Sequence, residues 1–449
     1  MSRLYPKMKD SGVEWLGKMP EHWDLSRADS RIGTSRNVVN PEQLKDKTVF
    51  HYSIPVVQEI GDGLVEEGSG IDSSKLVIDR KQVLVSKLNP RKGTVCVAEP
   101  KNLLTVCSGE FVPIIPKDAD LKYLYYVVQS GNYRMRLESL VESATKSHQR
   151  ALPEDVLKFY WGWPSINEQI AIASFLDRKT ALIDDLIAKR ERQIELLQEQ
   201  RMALISRVVT KGLNPDVAMK DSGVEWLGEI PKNWDVNRLK FITPEVTVGI
   251  VVTPAKYYVD EGVPCLRSLN VREGKLLDSD LVFISPESNV LHSKSMIYTE
   301  DLVAVRTGQP GTTAIVDERF DGANCIDLII IRRSGKYFSP FLEYQCNSAL
   351  AKMQFGIGAG GAIQQHFNIE TAKNLLVVCP PYHEQKTIVD FLHRGTKRID
   401  AMIETYQRQI EKLREYRQSL ISAAVTGKID VREWANRKIS EEEAKEVYS

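Results

Sequence analysis

Met8-Lys9-Asp10-Ser11-Gly12-Val13-Glu14-Trp15-Leu16-Gly17, with Pro20 and Trp23-Asp24 close behind, returns residue for residue as Met219 to Gly228, followed by Pro231 and Trp234-Asp235. The offset is 211 positions. A second pair of marks, Glu168-Gln169 and Glu384-Gln385, each opens a long helical pattern, and these stand 216 positions apart. Repeats of roughly 20 to 50 residues build solenoids, whereas one period of this length means two copies of a whole domain, each followed by a helix. A chain so built carries a pseudo-two-fold plan, which suits a target that is itself two-part.

The helices hold the clearest periodicity. Apolar or long-stemmed residues fall at Ile183, Ile187, Arg190, Ile194, Leu197, Arg201, Leu204 and Val208, in alternating steps of four and three. A shift of 216 gives Ile399, Ile403, Tyr406, Ile410, Leu413, Arg417, Leu420 and Ala424. A stripe of this period with charged flanks (Lys189, Glu191, Glu199, Arg408, Glu411, Lys412) is the pattern of a coiled coil, and each helix spans roughly 40 residues, or about 60 Å. Two arrangements fit: each stripe packs on its own domain, or the helices, joined through an entire domain, pair antiparallel with each other. Equal length and equal register are what mutual pairing requires. Arg201 and Arg417 interrupt the apolar seam and are candidates for setting its register.

Between these marks the chain reads as strands broken by Gly and Pro. In the first half they are Val49 to Val57, Gln82 to Leu88, Thr94 to Ala98 and Leu103 to Ile115, then a helix from Leu121 to about Leu140 and a polar loop, Ser143 to Arg150. The second half repeats the order with Val263 to Leu269, Leu281 to Ser285, Leu302 to Val305, Thr312 to Val316 and Cys325 to Arg332, a helix from about Ser339 to Phe355, and a loop containing Gly356 to Gln365. The expected fold is α+β: two globular domains of mixed sheet plus helices, joined by two long helices in an intramolecular antiparallel coiled coil. The boundaries are 1–24 for the first repeated segment, 25–163 for the first domain, 164–211 for the central helix, 212–235 for the second repeated segment, 236–379 for the second domain, 380–427 for the distal helix and 428–449 for a charged tail.

Composition bounds the function. With 60 basic and 60 acidic side chains, the molecule is no bulk polycation, so a nucleic-acid surface must come from local clustering or from a more basic partner. Hydrophobic content of 42% and charged content of 27% are those of an ordinary soluble protein. Cys96, Cys107, Cys265, Cys325, Cys346 and Cys379 sit singly, which indicates neither zinc nor a disulfide framework. With no signal-type or membrane-spanning apolar run, the expectation is a reduced, cytoplasmic protein with no membrane partner.

These residues together resemble the specificity subunit of Type I restriction-modification enzymes. The resemblance is carried by the twice-present Lys-Asp-Ser-Gly-Val-Glu-Trp-Leu-Gly block and by Pro380-Pro381-Tyr382-His383-Glu384-Gln385, echoed as Pro164-Ser165-Ile166-Asn167-Glu168-Gln169. Arg306 to Thr312 and Asp321 to Asp327 add to it, and it spans nearly the whole chain. It implies a non-catalytic reader of double-stranded DNA, whose two target recognition domains each bind half of a bipartite, asymmetric site while the helices act as a ruler. It also implies two methyltransferase subunits carrying S-adenosylmethionine and methylating adenine, and two nuclease and translocase subunits using ATP and Mg, in defence against foreign DNA. No cofactor or metal is expected on this chain itself.

Base edges are read by Arg or Lys at guanine and Asn or Gln at adenine, while other cations hold phosphates. Loops mixing amides with bases are therefore the candidate contacts: Lys87, Asn89, Arg91 and Lys92; Lys146, His148, Gln149 and Arg150; Arg267 and Asn270; Arg306 and Gln309; Gln364, Gln365 and His366. Lys87 and Arg306 each end a Val-rich strand before a Pro/Gly turn. Any one of them is equally readable as a solvated loop residue. The run Gly356 to Gly361 formally matches a dinucleotide fingerprint but lacks a strand before it and a helix after it, so it reads as a loop. Cys379-Pro380-Pro381-Tyr382 lacks the Asn or Asp of an adenine methyltransferase motif and reads as a rigid helix entry. Trp15, Trp23, Trp226 and Trp234 lie in the shared blocks, which favours packing or partner docking over base stacking. Without a phosphate loop or a nuclease cluster, catalysis is assigned elsewhere. The alternatives are a coiled-coil scaffold that binds only proteins, and a self-contained nuclease or methyltransferase.

Overall fold

The structure is a computed structural model that describes residues 4–141, 149–357 and 367–432. Two compact units emerge, each drawing on both long helices: Met1–Arg190 with Arg408–Ser449, and Glu191–Gln407. The fold is α+β.

In the first unit a four-stranded antiparallel sheet runs Val95–Ala98, Gln82–Ser86, Phe111–Pro116, Ile32–Gly33. A five-stranded mixed sheet runs Val38–Val39, Lys75–Val77, Leu104–Ser108, Thr48–Tyr52, Leu64–Glu67, with Leu104–Ser108 and Thr48–Tyr52 parallel. The run expected as one strand from Val49 to Val57 divides at Ser53. Its hydroxyl accepts the Val56 N–H and Pro55 pre-sets the first turn, so Ile54–Ile60 is helical despite its β-branched residues. The helix expected from Leu121 to Leu140 also divides, at Ser130, whose extended backbone (ψ 148) ends Leu121–Gln129 and whose side chain caps Gly131–Ser139.

In the second unit the corresponding antiparallel sheet runs Val246–Val248, Leu328–Ile331, Leu302–Val305, Thr313–Ile315. A mixed sheet runs Tyr258–Val259, Val282–Ile284, Val263–Leu266, Asn324–Cys325, the last pair parallel. The helix expected from Ser339 to Phe355 is two, Ser339–Cys346 and Ala349–Ile357.

The repeated block is a closed hairpin. Met8–Asp10 pairs with Lys18–Pro20, and Met219–Asp221 with Glu229–Pro231. In each, the Asp carboxylate accepts a glycine N–H at 2.9 Å (Asp10 from Gly12, Asp221 from Gly223). The Ser N–H reaches the far Gly carbonyl (Ser11 to Gly17, 3.1 Å; Ser222 to Gly228, 3.0 Å). Gly12 and Gly17 both hold φ +68, a left-handed backbone that a Cβ would strain.

The central helix is Ile166–Lys211 and the distal helix Tyr382–Val425. Pro381 ends the preceding strand's exit and its carbonyl accepts the N–H groups of Glu384 and Gln385, opening the helix. Each unit contains one antiparallel crossing of the two. In the first, Arg417 donates from Nε and Nη2 to Asp184 at 2.9 and 3.2 Å. In the second, Arg201 Nε pairs with Asp400 at 3.0 Å. Asp400 and Arg417 stand 216 positions after Asp184 and Arg201, so the two crossings are one contact with the repeats exchanged. Ile183, Ile187, Ile399, Ile410 and Leu420 are buried, and Ile194, Leu197, Leu204, Ile403 and Leu413 half-buried.

The Glu-Gln marks fasten each domain to its helix. Trp23 Nε1 donates to Glu168 at 3.2 Å and Trp234 Nε1 to Glu384 at 2.8 Å. Gln169 accepts the Asp120 N–H and Gln385 the Phe338 N–H, both at 2.8 Å, while their amide nitrogens donate to the carbonyls of Pro164 and Pro380. Further along, Ser422 Oγ accepts the Gly131 N–H and Ser206 Oγ the Ala349 N–H. Each domain thus rests on the start of one long helix and the end of the other.

Candidate nucleic-acid interface

The first unit brings two of its candidate loops together. Strand Gln82–Ser86 delivers Lys87, whose carbonyl accepts the Ala151 N–H at 2.9 Å. Leu88 bridges Arg150. Asn89, held at φ 47, donates its N–H to the Gln149 carbonyl at 2.7 Å, and its side-chain oxygen accepts the Gln149 N–H at 3.3 Å. The Asn89 amide is thus partly spent on holding the loops in register. Pro90 is buried at the head of a tight turn that leaves Arg91 and Lys92 exposed. Arg150 forms a two-pronged pair with Glu110 at 3.2 and 3.0 Å, a brace that keeps an exposed guanidinium extended. Lys146 and His148 lie outside the described residues.

The second unit repeats the corner with different side chains. Strand Leu302–Val305 delivers Arg306, whose carbonyl accepts the Phe367 N–H at 3.1 Å, the counterpart of the Lys87–Ala151 bond. Gln364, Gln365 and His366, just before Phe367, lie outside the described residues. Arg306 is paired through Nη1 with Asp327, a residue in left-handed backbone at φ 52. Three segments meet around Asp327. Its N–H donates to Ile250 at 3.1 Å, the neighbouring Ile326 N–H to Leu266 at 2.8 Å, and Leu328 pairs with Val305. Val251, Arg267 and Arg306 are each the next residue outward. The Nε atoms of Arg267 and Arg306 are buried without an acceptor within the described residues, so the two guanidiniums are only partly committed to the protein. Gln309 is exposed on the adjoining turn.

Asn270 corrects the sequence reading. It is fully buried, with its side-chain oxygen accepting the Arg267 N–H at 2.9 Å and its nitrogen donating to the carbonyls of Leu277 and Ser279. Its amide is consumed in holding a turn and presents nothing to a base. Arg267 remains at the surface, tethered through Nη2 to the Asp280 carbonyl at 2.6 Å.

No family model matches the chain. Over 440 residues it is 22% identical to the MjaVIII specificity subunit of a type I restriction enzyme from Methanocaldococcus jannaschii, a match covering 92% of this chain and 95% of that protein. The same organism's putative MjaX specificity subunit is 23% identical over 434 residues, covering 93% and 96%. Its full-length relatives are type I specificity subunits. Among solved structures, a chain from a study of complex assembly and conformational transition of the type I R-M system superposes with a TM-score of 0.69 at 16% identity. It covers 92% of this chain and 99% of that one, so the fold is shared from end to end.

Three features of the corners escape sequence reading. Glu110 and Asp327 are acids that stiffen neighbouring cations, and a lone acid in a loop carries no signal of that use. Arg134 belongs to a helix pattern, yet its stem lies over Gly93, where a Cβ would come within 3.4 Å of it, adding a cation beside Arg91 and Lys92. Val251 and Val252 fall outside every run and loop singled out from the sequence, and both are exposed. The tryptophans are structural: Trp23 and Trp234 are each only 1% exposed, and Trp15 is half-buried against Trp161. Nor is a thiol poised for chemistry, since burial pushes Cys379 up to about 11 and Cys265 to about 12. Among the described residues no His, Cys, Asp and Glu group is placed to hold a metal ion, and no helix is long and apolar enough to cross a membrane.

Proposed function

We propose that this chain is the specificity subunit of a Type I restriction-modification complex. The observation that carries the reading is the duplicated corner. In each unit a strand ends on a cation (Lys87 or Arg306) whose carbonyl fastens a second loop, with an acid (Glu110 or Asp327) holding a guanidinium in place. Full-length similarity to specificity subunits supports the same reading.

On this reading the first unit reads one half of a bipartite DNA site through Lys87, Asn89, Arg91, Lys92, Gln149 and Arg150, joined by Lys146 and His148 just before Gln149 in the sequence. The second unit reads the other half through Arg267, Arg306 and Gln309, with Gln364, Gln365 and His366. The cations discriminate guanine or grip phosphate, and the amides read adenine. The paired helices set the spacing between the halves. Two methyltransferase subunits supply S-adenosylmethionine chemistry, and two translocating nuclease subunits supply ATP- and Mg-dependent cleavage, within the cytoplasm. The neutral net charge of the chain accords with partners that provide much of the DNA clamp.

The test is filter binding of a duplex carrying the methylated sequence against a random duplex, with the methyltransferase present. The reading expects at least about a thousand-fold preference for the specific duplex. Equal binding would leave the chain a protein-binding scaffold, and S-adenosylmethionine bound to the isolated chain would make it a methyltransferase in its own right.

A further inference from the structure

We propose that Val251 and Val252 recognise the C5-methyl group of a thymine in the half-site read by the second unit. This rests on the base-reading role proposed above and names a chemical group that the polar contacts leave unread. The two side chains, in the loop after strand Val246–Val248, are 49% and 70% exposed. They take no part in the neighbouring core, which closes around Ile250, Cys265, Ile284 and Ile326.

Their loop is pinned at both ends. A Cβ at Gly249 would stand 2.4 Å from the Cys325 carbonyl oxygen, so only glycine lets the chain pass there. Ile250 then binds on both sides, its N–H to Cys325 at 2.8 Å and its carbonyl to the Asp327 N–H. At the far end Thr253 is held at φ 42 ahead of Pro254. Two apolar side chains are thereby presented at the corner where Arg306 pairs with Asp327 and where Arg267 follows Leu266, whose carbonyl holds the Ile326 N–H.

The partner follows from chemistry. Flanking guanidiniums recruit polyanionic DNA, and along the major-groove edge the thymine methyl is the one apolar group a base offers. Exposed valines among cations match that group, and a hydrated phosphate or amide does not.

The experiment takes the chain in complex with its methyltransferase and a duplex bearing the sequence mapped by methylation in cells. Each thymine of the second half-site is replaced in turn by uracil, which removes only the methyl. One replacement is expected to weaken binding about four-fold, the worth of one buried methyl. Val252→Ala, and Val251→Ala with it, should bind the thymine and uracil duplexes equally. Both side chains are exposed, so the melting temperature should stay unchanged. Indifference of the unsubstituted complex to every uracil, or full thymine preference retained by the double variant, would overturn the proposal. Loss of preference for specific over random duplex would instead count against base reading as a whole.

Discussion

The two units share their fastenings and differ in what they present. Trp23–Glu168 and Trp234–Glu384, Gln169 and Gln385, Ser422 and Ser206, Arg417–Asp184 and Arg201–Asp400 are the same contacts made twice. Beyond them the likeness fades. The first unit has a five-stranded mixed sheet where the second has four strands. One corner offers Lys87 and an Arg150–Glu110 brace; the other offers Arg306–Asp327 and a pair of valines. Even the helix above the long-helix crossing diverges. Tyr126 and Tyr344 make the same approach to Thr180 and Thr396, but the residue before each is Tyr125 in one unit and Glu343 in the other. A duplicated frame tolerates such divergence because its stability rests on the fastenings, leaving each corner to change with the sequence it meets.

The largest effect separating frame from corner should come from the buried indoles. Trp23→Ala and Trp234→Ala each remove a side chain of about 1% exposure and one donor from a carboxylate, Glu168 keeping Tyr5 and His22 and Glu384 keeping Asn233. Each should cost about 3–5 kcal/mol, and calorimetry should find the two losses alike. If one variant melts as the parent does, the fastenings are not equivalent.

A smaller effect marks the point of divergence. Burial pushes Glu343 up from 4.5 to about 7, against the pull of the Ile315 N–H that it accepts at 2.8 Å. A carboxyl raised on folding stabilises the fold below its unfolded pKa, and that contribution is lost as pH rises through the folded one. The second unit should therefore weaken by about 3 kcal/mol between pH 4.5 and 8. Glu343→Gln, which does not titrate, should flatten that part of the curve and melt higher than the parent at pH 8. Parallel pH profiles for variant and parent would remove Glu343 from the account.

Next come the corners. Lys87→Ala and Arg306→Ala should each relax specificity in one half of the site and leave the other intact, with about ten-fold weaker binding for a lost guanine contact. Methylation mapping reads both halves at once, and relaxation of both by a single variant would contradict independent reading. The smallest effect belongs to the helix crossings. Arg201 and Asp400 are partly solvated, so Arg201→Asp should cost about 1 kcal/mol, and adding Asp400→Arg should recover the Asp400 share, though not that of the second pair Arg201 makes with Glu273. The matching reversal at Asp184 and Arg417 should behave the same way.

What the sequence disclosed follows from where its signals were local. The central helix reported itself through period: expected over 164–211, it spans Ile166–Lys211. Strand Leu302–Val305 was legible because four apolar residues run unbroken between polar turns. Misreadings arose where one polar residue overrode a run. Ser53 turned Ile54 to Val57, the end of an expected strand, into the start of the helix Ile54–Ile60, and Ser130 broke one helix into two. The corners were half legible. Lys87, Gln149 and Arg306 stand at the loop corners to which type and position assigned them as candidates, but Asn270 looked the same as they did and is buried, because which amide faces inward is decided by the turn it closes. Glu110, Asp327 and Val251 became visible only when strands far apart in sequence met.

The central claim is that two independent readers are spaced by one helix pair. Seven residues inserted after Arg190 and seven after Gln407, the limits of the two units, keep the seam in phase and lengthen each helix by about 10 Å, or about three base pairs. Methylation mapping at single-base resolution should then find both half-sites unchanged and the gap between them about three base pairs longer. Altered half-sites across an unaltered gap would contradict the account.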